Sequence, residues 1–265
     1  MTTVDAQAPV RMPCANIRDL GGTTVEGGTV RSGLVWRADD LCLSPDGEIR
    51  ELTALGLHQV IDLRAPDEVR RLPPTYASRH GIRHHHVPLT RKAADPATLA
   101  KAMSGIRSAE DVGRWYAGML VKRAPEIVAI LRLAAGAQGG LLFHCAAGKD
   151  RTGVVAAVLL SCLGAEVEDI VTDFEATGPN LPAVWKRHAA TDTATRGHGF
   201  FDATPDHPLL GAAGASMHEF FRELHGVGGV FGVLRENHYD DELREALLNR
   251  FVVAGSHEPE PATRA

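Results

Sequence analysis

Residues 141–163 constrain this chain more than any other stretch. Leu141-Leu142-Phe143 is a short apolar run, and Thr152 to Leu163 has the composition of a buried helix. Between them stands His144-Cys145-Ala146-Ala147-Gly148-Lys149-Asp150-Arg151-Thr152-Gly153. A short apolar run bounded by turn residues reads as a buried strand. Strand, tight loop and helix in succession predict an α/β sheet with helices on its faces. The loop then lies at a strand's carboxyl end, where such sheets bind ligands.

The rest of the chain fits that frame. Val25 to Val30 reads as two short strands around Gly27-Gly28. Glu48 to Leu57 has helical apolar spacing with Gly56 as a stop. Gln59 to Arg64 and His84 to Leu89 read as further strands, the first buried and parallel. Residues 110–135 read as helices broken at Pro125, and Asp241 to Val253 closes a returning helical pattern. Residues 1–12 read as a flexible terminus, 13–253 as one domain and 254–265 as a disordered tail. Residues 178–215 are rich in Pro, Gly, Thr and His, which marks a functional lid or a disordered segment, and Phe200 and Phe201 fit a lid over the pocket or a small satellite core.

The loop carries the chemistry. A cysteine and an arginine flank five residues. A phosphate ester needs a nucleophile in line and donors for its equatorial oxygens. Cys145 supplies the first. The segment Ala146, Ala147, Gly148, Lys149, Asp150, Arg151 and Thr152 can turn several backbone N–H groups toward one oxyanion. The helix that follows adds its positive end, and Arg151 can hold two oxygens at once, as lysine cannot. The same field favours the thiolate, the form that attacks. Thr152 is placed to donate to that sulfur, and His144 to fix the loop through its ring N–H. The bland alternative is a buried structural cysteine with a surface arginine. A lone cysteine would fit it; an ordered set between strand and helix does not.

Composition limits the remaining classes. The net charge is −5 with no basic block, so no nucleic-acid surface is indicated. The 44% hydrophobic content supports a sizeable core. Four widely spaced cysteines, Cys14, Cys42, Cys145 and Cys162, suggest neither a zinc site nor a disulfide framework. The reading is a reduced, cytoplasmic chain without a signal peptide or membrane span, with export by a route needing no such signal left open. His84-His85-His86 alternate faces on a strand and do not converge on a metal. Trp115 and Tyr116 read as core or rim.

The loop sequence His-Cys-x-x-Gly-Lys-Asp-Arg-Thr-Gly resembles the signature of the protein tyrosine phosphatases. It is closest to a bacterial and fungal tyrosine-phosphatase-like branch that acts on phosphotyrosine and phosphoinositides. Asn16-Ile17-Arg18-Asp19-Leu20-Gly21-Gly22, Arg37, Val60-Ile61-Asp62-Leu63-Arg64 and Val87-Pro88-Leu89 extend the likeness over residues 13–253. The resemblance implies a mostly parallel central sheet flanked by helices with a helical or loop lid. It also implies a phosphocysteine intermediate hydrolysed by water, no cofactor or metal, and a phosphorylated protein or phosphoinositide as partner. His144, Asp62, Arg18 and Asp19 become supporting residues. Ile17, Ala146 and the lack of a lysine directly after the cysteine depart from the pattern, which leaves lipid specificity open.

The departing oxygen needs a proton, and no Trp-Pro-Asp sequence supplies the usual aspartate. Asp150 is the first candidate and Asp111 the second, while Asp62 ends a strand and braces the site. Two other classes use an anion-cradling cysteine loop, a rhodanese-like sulfur transferase and a non-catalytic phosphate-binding module. Arg151-Thr152-Gly153 favours the phosphatase.

Overall fold

The structure, a computed structural model, describes residues 11–92, 104–192 and 207–254. Its strands are β1 (Arg18–Asp19), β2 (Thr24–Val25), β3 (Gly28–Val30), β4 (Val35–Ala38), β5 (Leu57–Asp62), β6 (Arg83–His86), β7 (Gly140–His144) and β8 (Val252–Ala254). Its helices are α1 (Asp46–Ala54), α2 (Pro66–Arg71), α3 (Thr75–His80), α4 (Ala109–Ala135), α5 (Asp150–Leu163), α6 (Val167–Glu175), α7 (Leu181–Asp192), α8 (Gly214–Leu224), α9 (Gly229–Arg235) and α10 (Asp241–Phe251).

Five strands form the central sheet in the order β1-β4-β7-β5-β6. β4, β7, β5 and β6 are parallel, and the edge strand β1 runs antiparallel to β4. Every residue of β7 is buried, as a middle strand covered on both faces requires. Its side chains alternate between two cores. Leu142 joins Trp36, Val60, Ile49 and Tyr76 on the face covered by α1 and α3. Leu141 and Phe143 join Ile61, Ile127 and Val155 on the face covered by α4 and α5. Burying one such side chain contributes about 1.5–3 kcal/mol, so a one-residue slip of β7 would forfeit several at once.

Helix α4 starts at a capping box, with Ser108 accepting from the Asp111 N–H and Asp111 accepting from the Ser108 N–H. It bends at Arg123 (φ −123°, ψ 18°), two residues before Pro125, whose ring removes a helical donor. The break predicted at Pro125 is there.

Several expectations need correction. The last helix stops at Phe251, because Val252 and Val253 pair with Val30 and Thr29 in a second sheet, β2-β3-β8. The strand at Gln59 begins at Leu57 and ends at Asp62. Arg11 and Met12 are not loose. Arg11 donates to the carbonyls of Cys42 and Ser44, and Met12 bonds Leu43 through its N–H. Within 178–215 the described residues are largely helical, with 3-10 turns at Gly178–Asn180 and Pro208–Leu210. Phe200 and Phe201 lie outside the described residues, as does the middle of the expected lid. Among the described residues no helix is long and apolar enough to cross a membrane, and all four cysteines are free.

Candidate active site

β7 delivers Cys145 to the carboxyl edge of the sheet, where it is 2% exposed. The chain then turns through Gly148, which has φ +66°. A Cβ there would lie 2.6 Å from the backbone of Ala38 and Asp39, so both conformation and space demand glycine.

The loop is held from outside by its carbonyls. Ala146 O accepts from the Asp40 N–H at 3.0 Å and lies 3.1 Å from His188 Nε2. The Asn16 amide donates to Ala147 O at 3.2 Å and Gly148 O at 3.1 Å. Arg37 donates to Gly148 O at 2.8 Å. Among the described residues no hydrogen bond engages the backbone N–H groups of Ala146, Ala147, Gly148 or Lys149. Donors left over in a tight loop at a helix N-terminus form an anion-binding arrangement. α5 begins at Asp150, with the Gly153 N–H bonding Lys149 O at 2.7 Å.

A second layer braces those anchors. Arg37, fully buried, pairs with Asp173 of α6. Arg18 pairs with the same carboxylate at 2.7 Å and donates to Asn16 Oδ1 at 2.7 Å. Burial pushes the Asp173 carboxyl up, but Arg37 and Arg18 outweigh it and hold the group below the usual carboxylate range. Arg187 of α7 pairs with Asp39, which also accepts from the Asn16 N–H at 3.0 Å. Sequence reasoning quoted Asn16 and Arg37 only as parts of the resemblance, and missed Asp173, Asp39, Arg187 and His188. Their partners lie more than 20 positions away, so no local spacing reveals them.

Beneath the loop, Asp62 is fully buried and accepts from Arg64 at 2.7 Å. Arg64 also reaches Asp40 at 2.9 Å and Cys42 Sγ at 3.1 Å. Burial favours protonation of Asp62, yet His144, His84 and Arg64 drive its pKa well below the ordinary range. Asp62 ends its strand, and its carboxylate meets Arg64 and His84. His144 Nδ1 is 3.2 Å from Cys145 O, while Nε2 has no hydrogen-bond partner. Burial pulls the His144 pKa down. Thr152 is buried and its hydroxyl has no hydrogen-bond partner among the described residues, so the expected bond to the Cys145 sulfur is not formed. Asp19 accepts from Gly21 N at 2.9 Å and Gly33 N at 2.6 Å, which shapes a turn rather than the phosphate loop.

The three charged side chains of the loop differ. Arg151 spreads its guanidinium over Glu68, at 2.5 Å from Oε2 and 3.1 Å from Oε1, with Thr90 Oγ1 at 3.4 Å. Glu68 was not anticipated, since nothing in its local sequence marks it. Lys149, fully buried, donates to Leu209 O at 2.5 Å and Gly211 O at 3.0 Å. Its ammonium therefore ties residues 209–211 to the loop, and its backbone N–H has no partner among the described residues. Asp150 Oδ1 accepts from the Tyr116 hydroxyl at 2.6 Å and sits 3.1 Å from Lys149 Nζ. Its Oδ2 has no partner among the described residues.

Asp111 offers no such oxygen. Oδ2 accepts from the Arg107 and Ser108 N–H groups, and Oδ1 pairs with Arg114 at 2.6 Å. The Arg107 N–H and the Arg114 side chain lower its pKa and keep it ionised. The histidines His84, His85 and His86 meet Asp62, Gln59 and the Arg64 carbonyl respectively, so they do not converge. Tyr116 is buried, and Trp115 is 40% exposed at the rim.

Relatives place this geometry. A tyrosine-protein phosphatase of Nostoc commune is 30% identical over 227 residues, covering 83% of this chain and 74% of its own. The triple specificity protein phosphatase PtpB of Mycobacterium tuberculosis is 29% identical over 198 residues, covering 65% of this chain and 70% of its own. A Cupriavidus necator protein is 32% identical over 171 residues; the match covers 60% of this chain and spans 59% of that relative's length. Residues 12–253 match the model of the tyrosine phosphatase family, and with the cysteine, the outward-held carbonyls and the arginine in place, the chain belongs to that family.

Proposed function

We propose that this chain hydrolyses phosphate monoesters, phosphotyrosine first, through a phosphocysteine intermediate on Cys145. The observation that supports the reading is the loop whose carbonyls at Ala146, Ala147 and Gly148 are held from outside, with the N–H groups of residues 146–149 left over among the described residues. Those groups and Arg151 take the equatorial oxygens while the thiolate attacks phosphorus in line. Arg151 turns its fork from Glu68 to the phosphoryl group, a bidentate exchange of one anion for another. Asp150 gives a proton from Oδ2 to the leaving oxygen, then takes one from the water that opens the phosphocysteine. The family resemblance of the loop extends the proposal to phosphoserine, phosphothreonine and phosphoinositides as further substrates, and one Mycobacterium relative is named a triple specificity protein phosphatase.

One experiment tests the scheme, with an activated aryl phosphate and a phosphoserine peptide as substrates. Cys145→Ser should abolish turnover of both yet retain vanadate binding. Asp150→Asn should lose ~10²–10⁴-fold on phosphoserine and far less on the aryl ester, whose phenolate leaves with little help. Near-normal turnover by Cys145→Ser ends the mechanism. Equal losses on the two substrates remove Asp150 as the acid.

A further inference from the structure

Beside the catalytic loop lies a cavity of about 340 Å³ between residues 89–91 and one face of α4. Leu89 and Met119 are buried in its wall, and Trp115 presents an exposed ring. Its rim is basic. Arg91 and Lys122 are exposed and carry no ion pair among the described residues. Arg114 and Arg123 also line it, but Asp111, Glu219 and Glu126 already neutralise them. Among the described residues no carboxylate lines the cavity. The bend at Arg123 ahead of Pro125 shapes this stretch of α4.

The groove adjoins the chemistry through two residues. Thr90, in its wall, is 3.4 Å from Arg151. The Trp115 ring lies 5.4 Å from that of Tyr116, whose hydroxyl holds Asp150. We propose that this groove is a subsite for a peptide substrate and takes an acidic side chain, with an apolar neighbour, flanking the phosphorylated residue. The proposal rests on the phosphatase reading. Two unpaired cations over an apolar floor match an acidic and an apolar side chain together. A polyhydroxylated inositol ring would leave its hydroxyls against Leu89 and Met119.

Cys145→Ser protein and two fluorescent phosphotyrosine peptides test it. One peptide carries Glu-Leu beside the phosphotyrosine, the other Lys-Ser. The acidic peptide should bind about tenfold more tightly, with the preference shrinking as salt rises. Adding Arg91→Glu and Lys122→Glu should abolish or invert that preference. Trp115→Ala should weaken the Leu-bearing peptide selectively. Equal affinities in the parent, or a preference that survives the double reversal, overturn the proposal. A double reversal that weakens a soluble phosphoinositide more than it moves the peptide ratio assigns the groove to a headgroup and overturns it too. If the doubly changed protein does not fold, Lys122→Glu alone, on an exposed helix face, reads the same ratio. Binding is read without turnover, so an inactive Cys145 enzyme would sink the phosphatase reading while leaving the groove's preference measured.

Discussion

Two arginine–carboxylate pairs meet at the same loop. Arg37 and Asp173 hold its base, and Arg151 and Glu68 stand at its mouth. Side-chain exposure separates the two arginines more than the two carboxylates. Arg37 and Asp173 are 0% and 11% exposed, whereas Arg151 and Glu68 are 14% each. Arg37 spends its other contact on the Gly148 carbonyl, and a second arginine shares Asp173. Arg151 spends both amino groups on one carboxylate and little else. The base pair cannot exchange its anion without stranding buried charge. The mouth pair can, since a phosphoryl group offers the same two-oxygen geometry. On the proposed reading, a carboxylate shared with the framework builds the loop, while one standing in for a phosphoryl group keeps the arginine aimed.

The largest expected effect is at the base. Asp173→Ala leaves Arg37 buried and unpaired, and urea unfolding should report a loss of about 3–5 kcal/mol. Activity should fall with it, because Gly148 loses a fixed anchor. A loss under 1 kcal/mol would erase the distinction between base and mouth.

Next comes Arg151→Lys. The charge remains and the fork is lost, so kcat/KM should drop ~10²-fold or more with unfolding free energy little changed. Loss of stability on the scale of Asp173→Ala would make Arg151 a framework residue instead.

Of these two pairs, Arg151 and its loop stand out in sequence, whereas Glu68 and the Arg37–Asp173 base do not. Cys145 to Arg151 announce themselves because one loop must carry nucleophile, donors and clamp within a few residues of each other. Their strand and helix follow from short-range apolar pattern. The base is assembled by the sheet. β4, not anticipated as a strand, places Arg37 beside β7, and α6 brings Asp173 from far along the chain. Tyr116 read as core because its apolar body is core; only the packed helix puts its hydroxyl on Asp150. Lys149 reads as a phosphate ligand in sequence, yet the carbonyls of Leu209 and Gly211 claim it.

Glu68→Gln is the smallest change and the sharpest probe of the mouth. Glutamine keeps the size and an acceptor for the Ala65 N–H, which Glu68 now caps at 2.7 Å, but removes the charge facing Arg151. At neutral pH the loss of stability should be roughly 1.5 kcal/mol, the scale of one hydrogen bond to a charged group. Its pH dependence carries the argument. Burial pushes the Glu68 carboxyl up, and Arg151 outweighs burial and holds it below the usual range. A carboxylate whose folded pKa is depressed stabilises the fold fully above its unfolded value of about 4.3, and loses that contribution as pH falls through the folded value. The gap between parent and Glu68→Gln should therefore be constant above pH 6 and narrow below pH 4. Saturating vanadate at pH 7 should also narrow it, because the bound anion draws Arg151 off Glu68 and leaves less pairing to lose. A gap indifferent to both acid and vanadate would mean that Glu68 acts through its cap on Ala65, and that the mouth is framework like the base.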